Sequence, residues 1–138
     1  MTRRQWLKLL ASLPWLGVGG RLWAATPFEE AWNALLGGAR AELSDDIRLE
    51  LPELAEDGAQ VPLTLSVGRE DVEALFVLAE MNPVSLVAGV ELAADALPYL
   101  AARVRLNGNG VVWVVARCRA GWFYARREAR VARGGACG

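Results

Sequence analysis

The sequence predicts an all-β fold, an antiparallel sandwich with a short N-terminal helix and a C-terminal arm. Three observations carry that expectation. Apolar and polar residues alternate with a period of two: Ile47, Leu49 and Leu51 against Arg48 and Glu50, then Val61, Leu63, Leu65 and Val67 against Pro62, Thr64 and Ser66. Such alternation puts one set of side chains on each face of a strand. Seven strand-like runs recur at roughly ten-residue spacing with turn signals between them, the pattern of a sandwich. The length allows one domain with one core and no second domain.

Residues 1–25 read as an export leader. Thr2-Arg3-Arg4-Gln5-Trp6-Leu7-Lys8 is close to the twin-arginine consensus, with Trp6 where Phe is usual. The apolar stretch from Leu9 to Gly20 is broken by Pro14 and three glycines. It falls short of the ~20 apolar residues of a stable span, so no stable membrane insertion is expected. Cleavage is expected after Ala25. The expected location is periplasmic, reached by the twin-arginine route, which carries folded proteins.

Residues 26–40 open the mature chain with a helix. Thr26 is placed to cap, Pro27 fits the first helical position, and Glu29 completes a capping box. Phe28, Trp32, Leu35 and Leu36 fall on one face, and Gly37-Gly38 stop the helix.

The sandwich is expected over residues 41–133. Its strands run from Ile47 to Leu51, from Val61 to Val67, along the continuous apolar run Ala74 to Ala79, and from Val84 to Leu92 after the turn Asn82-Pro83. Three more follow at Tyr99 to Leu106, Val111 to Arg119 and Trp122 to Val131. Asn107-Gly108-Asn109-Gly110 lies between two of these runs and reads as a hairpin turn. Pro62 suggests an edge or strand-start position.

Charge and composition exclude several function classes. The leader holds Arg3, Arg4, Lys8 and Arg21 and no acids. Removing it shifts the balance from 15 basic against 16 acidic residues to 11 against 16. A net-acidic chain of this kind is no nucleic-acid binder, which needs clustered positive charge. The chain has no histidine. That removes the commonest general base and metal ligand, and with them Ser-His-Asp and Cys-His catalysis. Two cysteines without other ligands make no metal site. An autonomous enzyme is not expected, and no cofactor is implied.

The end of the chain, residues 134–138, is the most distinctive stretch. Gly134-Gly135-Ala136-Cys137-Gly138 carries one of only two cysteines on a glycine tether. Glycines cost the most entropy to order, so the segment is expected to stay mobile. A thiol so presented is suited to hold cargo covalently while other proteins act on it. Cys137 is therefore the candidate attachment point, with Gly134, Gly135 and Gly138 as its hinge. Cys118 lies in an apolar strand and reads as an inert buried thiol; a Cys118–Cys137 disulfide is the rival reading. Arg103 and Arg105 share a face and read as solvated.

The chain resembles the SoxY family of sulfur-carrier subunits over nearly its whole length. The resemblance is carried by the twin-arginine leader, Thr26-Pro27 with Ala31-Trp32, and Ile47 through Ala59 (IRLELPELAEDGA). It continues through Val61 to Val67 (VPLTLSV), Ala79-Glu80-Met81-Asn82-Pro83 and Arg103-Val104-Arg105-Leu106. The family's terminal motif is Gly-Gly-Cys-Gly-Gly. Here Ala136 precedes the cysteine and one trailing glycine is missing.

The resemblance implies an immunoglobulin-like sandwich that pairs with a SoxZ-like subunit as a heterodimer. It implies thiosulfate oxidation in the periplasm: the haem enzyme SoxAX joins thiosulfate to the carrier cysteine, here Cys137, and the hydrolase SoxB releases sulfate. A sulfur dehydrogenase, where present, oxidises the sulfur that remains. Two other readings stay open at the level of sequence. One is a SoxY-like carrier serving another periplasmic dehydrogenase system. The other is an immunoglobulin-like interaction module with a structural disulfide.

Overall fold

The structure is a computed structural model and describes residues 26–132. Residues 1–25, expected from the sequence to be a leader, and residues 133–138 lie outside the described residues.

Helix α1, Pro27–Leu36, begins as its sequence dictates. Thr26 Oγ1 accepts from the Glu29 N–H at 3.1 Å, and the Glu29 carboxylate accepts from the Thr26 N–H at 3.4 Å. This reciprocal box satisfies two otherwise orphaned donors. The helix ends at Gly37, whose φ of 61° is left-handed, a conformation that costs glycine nothing.

Eight strands follow: β1 Ala41–Leu43, β2 Ile47–Glu50, β3 Val61–Val67, β4 Val72–Ala79, β5 Leu86–Glu91, β6 Tyr99–Val104, β7 Gly110–Cys118 and β8 Gly121–Ala129. They form a five-stranded sheet in the order β1-β8-β7-β4-β5 and a three-stranded sheet in the order β2-β3-β6. The pairings are antiparallel except β1, which lies parallel to β8 with Ala41 opposite Trp122. β1 is the strand the sequence does not predict. Its three residues, Ala-Glu-Leu, are too few to show a period.

The core lies between the two sheets. Leu63, Leu65 and Val67 of β3 meet Leu75 and Val77 of β4 and Val112, Val114 and Ala116 of β7, all buried. A second, smaller cluster covers the outer face of the five-stranded sheet. There Leu36, Trp32 and Phe28 of α1 pack on Leu78, Val115, Trp113, Trp122 and Tyr124. β4 and β7 are thus covered on both faces, which is why they read as continuous apolar runs rather than alternating ones.

One expectation is corrected. β6 and β7 do not form a hairpin around Asn107-Gly108-Asn109-Gly110. β6 pairs with β3 in one sheet, and β7 pairs with β4 and β8 in the other. The Asn-Gly-Asn-Gly stretch is a crossover from sheet to sheet. The outer-face cluster draws β7 to the centre of the larger sheet, and a short turn signal between apolar runs is indifferent to which partner each run takes. The true tight hairpin is β7–β8, with Cys118 opposite Gly121.

Candidate functional site

The predicted attachment residue Cys137 and its hinge glycines Gly134, Gly135 and Gly138 lie outside the described residues. The structure describes the root from which they extend. β8 ends at Ala129, which is buried. The chain then runs beside the segment Leu51–Ala59, and Val131 makes a parallel bridge with Ala55. The Ala55 N–H donates to the Arg130 carbonyl at 2.9 Å, and the Ala132 N–H donates to the Ala55 carbonyl at 2.8 Å. The Val131 N–H donates to Asn109 Oδ1 at 2.8 Å. The last described residues are therefore fixed from two sides.

Both sides are themselves held. On one, the Leu106 N–H donates to the Gly58 carbonyl at 2.7 Å, tying the Leu51–Ala59 segment to the end of the smaller sheet. Asp57 Oδ1 accepts from the Ala59 N–H at 2.9 Å, an Asx turn. On the other, buried Asn82 holds the crossover. Its amide donates to the Arg105 carbonyl at 2.6 Å, and its oxygen accepts from the Asn107 N–H at 3.0 Å. Asn82 thus does more than mark a turn.

Two shallow hollows open at this end of the sandwich. One, of about 410 Å³, is lined by Pro52, Leu54, Ala55, Asp57, Gln60 and Pro62. The other, of about 310 Å³, is lined by Asn82, Pro83, Val84, Arg105 and Asn107. Leu54 and Val84 are exposed, at 56% and 73%. Arg103 and Arg105 are exposed as expected, and Arg103 donates to Gln60 Oε1 at 3.4 Å.

Cys118 is a free, buried thiol at the far end of β7. Burial pushes it above the ordinary thiol range, and the Asp71 carboxylate pushes the same way; the Arg69 guanidinium opposes them. Arg69 is held mainly by Asp71. It makes a two-pronged bond to Asp71 at 3.0 and 3.2 Å and lies 4.2 Å from the Phe123 ring centre. A buried thiol with a raised pKa is a poor nucleophile.

Among the described residues no group of three or more His, Cys, Asp or Glu is placed to hold a metal ion. No helix among them is long and apolar enough to cross a membrane. The described body thus holds the chain at Val131 and Ala132, next to the C-terminal segment.

The profile of one known family, described as sulfur oxidation protein SoxY, matches residues 32–137. The chain belongs to the SoxY family. Its family membership places it in sulfur oxidation, among the proteins of the Sox system. The fold agrees. The sulfur carrier protein SoxY from Chlorobium limicola f. thiosulfatophilum superposes with a TM-score of 0.68 at 25% identity, over 75% of this chain and 94% of that one. An engineered protein aligns with a TM-score of only 0.43 at 18% identity, over 62% of this chain and 20% of its own length. No curated protein gives a significant sequence match. The SoxY match spans Leu51–Ala59, Asn82 and Asn109, the segments that hold the root, and it reaches Cys137.

Proposed function

We propose that the chain is the sulfur carrier of thiosulfate oxidation and holds sulfur intermediates covalently on Cys137. The observation that carries this reading is the match to the SoxY family through Cys137, joined to a body whose C-terminal root is fixed at Val131 and Ala132. The SoxY from Chlorobium limicola f. thiosulfatophilum, itself a sulfur carrier, shares the fold.

The chemistry belongs to the partners. In the loading step a sulfur–sulfur bond forms between the Cys137 thiolate and the outer sulfur of thiosulfate. The two electrons released go to the haem enzyme, SoxAX, and the thiol proton goes to solvent. In the next step, within SoxB, water attacks the sulfone sulfur of the Cys137 adduct and gives up its two protons to solvent. The bond between sulfone and sulfane sulfur breaks, sulfate leaves, and a persulfide remains on Cys137. A sulfur dehydrogenase, where present, oxidises that sulfur.

The carrier's own part is presentation. Cys137 is the fifth residue after Ala132, and an extended chain spans at most about 3.6 Å per residue, so the thiol lies within roughly 18 Å of the root. A thiol of ordinary pKa, about 8.5, is a few per cent thiolate at neutral pH, which suffices where a partner supplies the oxidation. Residues 1–25 act as a twin-arginine leader and bring the protein to the periplasm. A SoxZ-like subunit pairs with it and covers exposed sheet edges, which otherwise invite self-association. The intact mass of the purified protein, before and after thiosulfate and SoxAX, tests the reading. A reductant-sensitive gain on Cys137 supports it, and an unchanged mass overturns it.

A further inference from the structure

We infer that Asn109 is a positioning residue for the carrier arm: its side-chain oxygen latches the Val131 amide and so sets where the arm leaves the body and how far it reaches. The inference rests on the carrier reading above and names the group that gives that reading its geometry.

Ala129 is the last residue of β8. Beyond it the chain has no strand neighbour on the larger sheet, and its path is set by backbone bonds to Ala55 on one side and by Asn109 on the other. A parallel bridge to a single residue leaves every second backbone group of the passing chain unpaired. The Val131 N–H is such a group, and Asn109 Oδ1 meets it at 2.8 Å. Asn109 is exposed and serves no core. It nevertheless sits on the crossover that Asn82 clamps at Arg105 and Asn107. The latch is therefore an outward-facing group on a rigid mount, which suits aiming better than stability.

The consequence is a change in arm length. With the latch closed the chain is held as far as Ala132, five positions before Cys137. With it open and the bridge to Ala55 lost, the arm starts after Ala129, eight residues from Cys137. Its maximal reach then grows from roughly 18 Å to roughly 29 Å. A longer tether spreads its end over a larger volume and lowers the effective concentration of the thiol at a partner's channel.

The test compares wild type, Asn109→Ala and Asn109→Asp, the last of which keeps an acceptor oxygen. Hydrogen exchange at Val131 and Ala132 reads the latch. Loading of Cys137 by thiosulfate and SoxAX reads the aim. Labelling of Cys137 by a small disulfide reagent controls for thiol reactivity. We expect Asn109→Ala to exchange the Val131 amide roughly tenfold faster, as loss of one hydrogen bond implies. It should load several-fold more slowly at limiting carrier, with unchanged melting temperature and unchanged small-reagent labelling; Asn109→Asp should restore both rates. Unchanged exchange in Asn109→Ala overturns the latch. Faster exchange with unchanged loading overturns its role in aiming. Failure of the wild type itself to load overturns the carrier reading and this inference together, and is recognised by the wild type alone.

Discussion

The side chain of Asn82 bonds to the backbone of the step from one sheet to the other at two points, donating to the Arg105 carbonyl at 2.6 Å and accepting from the Asn107 N–H at 3.0 Å. Asn82 is itself buried, so these two backbone groups are satisfied by a side chain rather than by a ladder. Asn82→Ala removes both of these bonds from the crossover backbone. It should destabilise the fold by about 2–3 kcal/mol, read as a lower urea midpoint with an unchanged slope. Unchanged stability would show that the crossover holds its shape without the amide.

The Arg69–Asp71 pair predicts the acid limb of stability. The Arg69 guanidinium, by its bond to Asp71, holds that carboxyl below the usual carboxylate range, and the Ala120 N–H adds to the effect at 3.1 Å. A carboxyl depressed in the folded state stabilises the fold above its unfolded value, about 3.9. That contribution is lost as pH falls through the lower folded value. Between about pH 5 and pH 2, wild type should therefore lose more stability than Asp71→Asn. Parallel curves of urea midpoint against pH would contradict the assignment.

The helix α1 is attached mainly through rings. Trp32 lies 5.4 Å from Trp113, 5.7 Å from Phe28 and 5.9 Å from Tyr124 between ring centres. Trp32→Ala should cost about 2–3 kcal/mol, below the range for a fully buried ring because Trp32 is half-buried. Limited proteolysis should then cut within residues 27–40 well before it cuts the sandwich. Simultaneous cleavage of both would mean that helix and sandwich unfold as one unit.

Much of this architecture is legible in the sequence, for physical reasons that can be named. The capping box of Thr26 and Glu29 is a local pattern, and local patterns survive into the fold. The alternation in β2 and β3 reports a sheet with one buried face. Two features were not legible. β1 owes its place beside β8 to a parallel contact over three residues. The turn at Asn107–Gly110 has hairpin chemistry, yet it joins two sheets, because long-range pairing of β6 with β3 and of β7 with β4 decided the partners. At the candidate site, sequence singled out Cys137 and its glycines. It did not find the roles of Asn82, Ala55 or Asn109, since Asn82 and Asn109 read as ordinary turn residues and Ala55 acts only through its backbone.

Cys118 and Cys137 should differ sharply in reactivity. Burial raises the Cys118 thiol above its ordinary range and shields it. Iodoacetamide at pH 8 should label Cys137 within minutes and leave Cys118 unlabelled until denaturant is added. Comparable labelling of both in the native protein would contradict the buried, inert reading of Cys118.

The most direct test is the mass of the protein after thiosulfate and SoxAX. The account predicts a gain on Cys137 equal to one thiosulfate less the thiol proton, removed by reductant. The gain should be abolished by Cys137→Ser and retained in Cys118→Ser. A reductant-sensitive gain that persists in Cys137→Ser would contradict the assignment of Cys137 as the carrier thiol.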